Sequence, residues 1–447
     1  MLASGARRGR CRRGAAAKQV LKRIFLARLF VSLKVSLEDI CTRFEKTKVN
    51  FVFLARLFVS LHGKGMTEIK RTMLKQVSTD IFKFEVEGGV AEYHAMLRIT
   101  NPRLTYAEQV DCLLAAYGQL VAETLPGSVA VMKRFFLSDA ANQASHLQAL
   151  LIENADGAVS IVEQPPLDGT KIALWAYLQR GVQTRVLPQG DYEVSHGAYR
   201  HLWSASNWNK AAKSEYQMRL LFNDYIMRLA EQGCCLADNC IRTWIFVQNV
   251  DVNYAGVVKA RNEVFHTQNL TENTHFIAST GIAGRHADPE VLVQFDAYAV
   301  EGVQPEQIHY LYAPTHLNPT YEYGVSFERG TYVDYGDRRQ VFISGTASIN
   351  NKGEIVYPGD VRKQTLRMWE NVETLLAEAE CTYEHVGHMI VYLRDMADYT
   401  VVKEMYDERF PTVPKVYLQA PVCRPGWLIE MECMAVKAIS DDRYPRY

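Results

Sequence analysis

None of the nine cysteines stands in a CxxC pair or at a spacing with histidine that a structural zinc needs, and apart from the adjacent Cys234-Cys235 with nearby Cys240 they are scattered over a chain of 447 residues. Their absence from any such pattern points to a reduced, cytoplasmic protein without structural zinc. No apolar run reaches the roughly 18 residues needed to cross a bilayer, because Arg28 and Arg56 interrupt the two N-terminal stretches. Net charge is lacking too, with 50 Lys+Arg against 50 Asp+Glu. That balance hides two unlike parts. Residues 1–65 carry 15 basic and 3 acidic side chains, a net of +12, which leaves 35 basic against 47 acidic in residues 66–447, a net of −12. An acidic body repels phosphate backbones, so nucleic-acid binding, nuclease action included, is not expected of it. With 48% hydrophobic residues, that body holds enough apolar side chain for a large core.

The nonapeptide Phe-Leu-Ala-Arg-Leu-Phe-Val-Ser-Leu occurs at 25–33 and again, unchanged, at 53–61. Diverging protein repeats keep a pattern of apolar positions, whereas identity throughout suggests a recent duplication of the coding nucleic acid. The expectation is that 1–65 is a non-native or disordered basic leader and that Met66 is the real start. An Arg-rich, acid-poor targeting segment or a basic amphipathic helix is the rival reading.

From Met66 onward, helical and strand signals alternate, and one block occurs three times. In the last copy, Gln364–Glu380 reads as a helix, 388–393 as a buried strand, 399–410 as a helix, and 415–419 and 427–438 as strands. In the middle copy, Gln217 opens a helix, 242–247 is the strand, Tyr254–Phe265 the second helix and 292–300 the closing strand. The first copy runs from a helix at Tyr106 through Phe135–Asp139 to a closing strand at 172–178. The expected fold class is therefore α+β, in three units at 66–181, 182–303 and 304–440.

The third copy carries Gly330-Thr331-Tyr332-Val333, Phe342-Ile343-Ser344-Gly345, Gln364 with Asn371, Tyr392-Leu393-Arg394-Asp395 and Ile429-Glu430-Met431-Glu432. In order and spacing this set resembles the Rid superfamily, also called YjgF or endoribonuclease L-PSP, over 329–438. Ser344 to Ile349, Val416 to Ala420 with Cys423-Arg424, and Ala278 to Gly284 are similar to the chorismatases, single chains of fused Rid-like units. The resemblance implies a pseudotrimeric barrel with helices outside and small-molecule clefts between units, either monomeric or in a higher homo-oligomer. It also implies cofactor-free hydrolysis: of imines and enamines in simple Rid proteins, of chorismate with release of pyruvate in chorismatases. Simple Rid proteins hold the substrate carboxylate with an Arg fifteen positions before the acidic strand residue. Here that position is Lys415, which keeps the charge but not the two-pronged grip.

Glu430 is the expected general acid. By repeat alignment its counterparts are Ala173 and Gln294, so the acid survives in one unit of three. The bland account is a half-exposed strand whose polar face meets water. A buried carboxylic acid can instead stay protonated near neutrality and donate to carbon. A small carboxylated metabolite needs cationic anchors, for which Arg424, Arg285, Lys415 and Arg329 are candidates, with Tyr332 and Thr346 as hydrogen-bond donors. Thr280 and Gly281 belong to a run where glycine lets backbone approach a ligand. No metal and no membrane partner are expected. The polar loop 269–274 reads as surface decoration. A non-catalytic ligand-binding protein on the same scaffold is the alternative from another class.

Overall fold

A computed structural model describes residues 66–447 except 75, 153–155 and 189, and the expectations for 1–65 fall outside it. Three six-stranded sheets organise the chain. The first contains β1 (Met66–Leu74), β2 (Val77–Glu85), β3 (Ala91–Ile99), β4 (Ser128–Leu137), β5 (Ala158–Glu163) and β6 (Ile172–Arg180). The second contains β7 (Gln183–Val186), β8 (Tyr192–His196), β9 (Tyr199–Trp208), β10 (Cys240–Val247), β11 (Ala278–Ala283) and β12 (Val293–Glu301). The third contains β13 (Ile308–Leu311), β14 (Gly330–Asp334), β15 (Arg338–Ala347), β16 (Val386–Leu393), β17 (Lys415–Gln419) and β18 (Ile429–Ala438).

All three share one strand order, β1-β2-β3-β6-β4-β5 in the first, with a parallel pair at one edge and antiparallel pairing elsewhere. Each unit carries a helix pair: α1 (Tyr106–Gln119) and α2 (Ala140–Leu151), α3 (Ser214–Glu231) and α4 (Val250–Thr267), α5 (Val361–Glu378) and α6 (Tyr399–Arg409). The repeated glutamines explain why each copy closes alike. Gln109, Gln217 and Gln364 are buried in the first turns of α1, α3 and α5, and each accepts from the backbone N–H leading into the closing strand: Lys171 at 2.7 Å, Leu292 at 2.7 Å and Leu428 at 2.9 Å. A buried amide left without these partners costs about 1–3 kcal/mol, so the helix start and the closing strand are specified together.

The strand faces follow from layering. On β18 both Ile429-Met431-Cys433 and Glu430-Glu432 are buried, so the strand does not have the water-facing polar side that alternation alone suggests. One face meets α5. The other meets a core shared by all three sheets, which includes Trp175, Trp203, Trp244, Tyr298, Phe342 and Tyr392. Separate apolar clusters lie between sheet and helices in the first and second units. The units join in a ring. Edge strand β5 bridges to Arg285 of the second unit, β11 bridges to Glu328 next to β14 of the third, and Leu418 of β17 bridges back to Pro166 of the first. Among the described residues no helix is long and apolar enough to cross a membrane.

Candidate active site

At the junction where β11 of the second unit meets the third, Glu430 opens into a cleft enclosing about 570 Å³ together with its mouth. Ladder register confirms the equivalence read from the repeats: Glu430 pairs with Tyr392, Gln294 with Phe246 and Ala173 with Phe136, each at the same step of its sheet. The partner strand differs between copies. β15 carries a bulge between Ile343 and Thr346, and β9 carries one opposite Phe295–Ala297, whereas β3 runs against β6 without interruption. Bulges re-aim side chains at functional sites; the second unit keeps the bulge with Gln294 in place of the acid, and the first has neither bulge nor acid. Inside the bulge Gly345 lies against the Glu430 carboxyl: a Cβ there would sit 2.9 Å from Glu430 Cδ and nearer still to Oε1. Thr346 holds the bulge shut, its hydroxyl donating to Ser344 O at 2.9 Å.

No group among the described residues hydrogen-bonds the Glu430 carboxyl. Burial first, and the Glu432 charge second, push its pKa up to about 8, with Arg242 and Arg329 offsetting part of the rise. Glu432, two residues on and on the same strand face, has the opposite surroundings. Arg242 Nη2 donates to it at 2.8 Å, Trp244 Nε1 at 3.0 Å and the Thr280 hydroxyl closer still, and Arg134 stands 3.7 Å away. Thr280 accepts from Arg242 Nη2 at 2.5 Å and from Gly345 N–H at 2.9 Å, so its own proton is directed to Glu432. The two neighbouring carboxyls thus differ in kind: Glu432 is hydrogen-bonded to a cation, and Glu430 is buried without a partner among the described residues, its pKa raised.

Three arginines line the same cleft, and none has an acidic partner among the described residues. Arg261, on α4, is 1% exposed, and its Nε and Nη2 have no hydrogen-bond acceptor. Arg424 lies over the rings of Tyr323 at 4.5 Å and Trp427 at 4.9 Å. Arg329 donates to the neutral oxygens of Asn318, at 2.9 and 3.2 Å. Leaving charge buried and unpaired is costly, so this arrangement suits an anionic ligand.

Glu430, Arg424, Arg329 and Gly281 therefore meet in one cleft, with Thr280 and Thr346 directly behind it. The other candidates lie elsewhere. Arg285 pairs with Glu163 at 3.1 Å between the first and second units. Tyr332 stacks on His309 at 4.5 Å and under Arg339 at 4.2 Å. Lys415 is buried, and its ammonium donates to Phe410 O at 2.7 Å near Arg98 and Asp80 of the first unit; burial brings its pKa down to about 8. The residue at the same register on β11, facing Glu430, is Ser279, whose neighbour across the ladder is Thr243 as that of Lys415 is Met389. Tyr254, Arg261, Tyr323 and Trp427 escaped the sequence reading. Only the repeat alignment of Tyr254 through Phe265 with Tyr399 through Phe410 hinted that α4 brings residues to the cleft. Loop 269–274 is largely exposed, and its Thr271, Glu272 and Thr274 help line a second cavity.

Residues 327–437 match the family model described as Endoribonuclease L-PSP. A RutC family protein of Pyrococcus abyssi is 36% identical over 100 residues, 22% of this chain and 78% of its own length. The 3-aminoacrylate deaminase RutC of Acinetobacter baylyi is 31% identical over 97 residues, 21% of this chain and 77% of its own. The crystal structure of a chorismatase superposes with a TM-score of 0.55 at 18% identity, covering 69% of this chain and 93% of that one.

Proposed function

The chain belongs to the endoribonuclease L-PSP (RutC) family of the Rid superfamily, with a chorismatase-like fold, and on that premise we propose that it is a cofactor-free hydrolase of a small carboxylated enol ether, chorismate or a close relative. One observation carries the reading: a carboxylic acid whose pKa burial raises faces a cleft with three arginines that have no acidic partner among the described residues. Arg261 and Arg424, with Arg329 at the wall, supply charge for the two carboxylates of such a substrate. Glu430 then gives its proton to the terminal methylene carbon of the enolpyruvyl group. The resulting oxocarbenium ion takes up water at the ether carbon, and the returning proton restores Glu430. The hemiketal so formed collapses with cleavage of its C–O bond to the alcohol, giving pyruvate and a free ring hydroxyl. Atoms balance as substrate plus one water.

The test is pyruvate release when purified protein is given chorismate. Release by the wild type with loss in Glu430→Gln supports the reading, and no release by the wild type rejects it. The similarity to a 3-aminoacrylate deaminase favours a second reading, protonation of an enamine carbon by the same acid. Freshly generated 2-aminoacrylate tests it by ammonia release. Ser279 in place of a cation across from Glu430 counts against that substrate.

A further inference from the structure

Beyond Arg329, which it shares with the cleft, lies a second cavity enclosing about 730 Å³ together with its mouth, which the hydrolytic reading leaves unused. Its base holds Glu328, which is 6% exposed. One carboxyl oxygen, Oε1, accepts from Phe276 N–H at 2.8 Å. Its other oxygen has no hydrogen-bond partner, and no cation pairs with the group, among the described residues. Burial pushes the Glu328 pKa up to about 7. Arg329, the next residue, offsets part of that rise with its charge, and its Nε has no acceptor among the described residues; the remaining polar groups on the cavity floor are acceptors or already engaged. His275 is kept neutral by burial, and its Nδ1 faces the Phe276 carbonyl at 3.0 Å, leaving Nε2 as an acceptor. Thr274 donates back into its own loop, Arg329 Nη2 is taken up by Asn318, and Glu272 adds a carboxylate at the rim. Apolar and aromatic surface forms the rest. The His275 ring stacks on Tyr310 at 4.4 Å, Leu317 and Pro319 form a wall, and Tyr312 and Tyr321 stand 46% and 49% exposed at the mouth.

The buried Glu328 carboxyl keeps one oxygen free, in a cavity of acceptors and rings whose cation, Arg329, makes no ion pair with it among the described residues. We infer that this cavity is a second ligand site, taking a small protonated amine with a flat apolar body, its ammonium on Glu328 and its ring against Tyr312 and Tyr321. Charge-assisted hydrogen bonding to a desolvated carboxylate gives the affinity, and stacking gives the shape preference. The inference does not rest on the hydrolase reading, because it uses neither Glu430 nor Arg261 nor Arg424.

Calorimetric titration of the full chain with 2-phenylethylamine tests it, with 3-phenylpropionate as the anion of matching shape. The amine binds one to one, the anion fails to displace it, and Glu328→Gln weakens binding by about tenfold or more. The Gln side chain keeps the acceptor for Phe276, and its melting temperature reports whether it folds. A Tyr312→Ala/Tyr321→Ala double variant, altering only half-exposed side chains, weakens binding as well. Wild-type affinity in a folded Glu328→Gln protein or in the double variant overturns the inference. So does displacement of the amine by the anion, or absence of amine binding at about millimolar concentration.

Discussion

Glu430 and Glu432 leave the same face of β18 two residues apart, yet of the two only Glu432 has a cation in hydrogen-bond reach among the described residues, Arg242 at 2.8 Å. The asymmetry sets the charge state of the cleft. With the Glu430 pKa near 8, the proton-donating form is present below that pH and lost above it. Turnover of an enol ether should therefore hold through neutrality and fall as pH rises through about 8. Replacing Glu432 by Gln removes the repelling charge and frees Arg242, both of which favour ionised Glu430. The falling limb should move to lower pH by about a unit or more, while the protein loses about 3–5 kcal/mol from an opened buried ion cluster. A limb that stays in place in a folded variant contradicts the coupling.

The same raised pKa has a stability consequence with a definite sign. The folded chain binds one proton more at Glu430 than the unfolded chain between the ordinary value of 4.5 and about 8. Its contribution to stability is therefore fully present below pH 4.5 and is lost as pH rises through about 8. Glu430→Gln should flatten the pH dependence of denaturant midpoints across that window.

Gly345→Ala puts a methyl into the Glu430 carboxyl. The backbone of the bulge is fixed by Thr346 and by Gly345 N–H on Thr280, so the carboxyl is what must move. Displacing a proton donor by about 1 Å costs on the order of a hundredfold in rate. The expected loss is in kcat, with a smaller change in melting temperature.

Arg261→Met separates binding from stability. A buried guanidinium without partners is a burden in the empty protein, so methionine should leave stability unchanged or raise it. KM for a carboxylated substrate should rise by about tenfold or more. Loss of stability with unchanged KM would assign Arg261 a structural role.

Arg285→Ala is the matching control. Its partner is Glu163 at a surface-exposed unit junction, and its removal should leave kcat and KM within about twofold of the wild type, the effect of an exposed pair being small.

The architecture was legible because each copy repeats the same periodic signals: α1 starts at Tyr106 and β17 spans Lys415–Gln419 as the sequence suggests. Glu430, Arg424, Arg329 and Gly281 were legible because they sit on or beside strands with counterparts in other copies. Lys415 was misplaced for a geometric reason. Counting within one unit assigns Lys415 and Glu430 to one cleft, but β17 is the edge that faces the first unit, while Glu430 faces β11 of the second. Arg261 and Tyr323 were missed because a helix from one unit and an aperiodic stretch before β14 converge only after the ring closes. Glu432, on the same strand face, is the electrostatic opposite of Glu430, a difference made by Arg134 and Arg242 from other units that no count along one unit shows.

The central claim is that protonated Glu430 delivers its hydrogen to carbon. Chorismate turnover in D2O, followed by NMR of the pyruvate methyl group, tests it most directly. One deuterium per methyl is expected with the wild-type protein, and no pyruvate above the uncatalysed background with Glu430→Gln. An all-protium methyl, or an undiminished rate in Glu430→Gln, would contradict it.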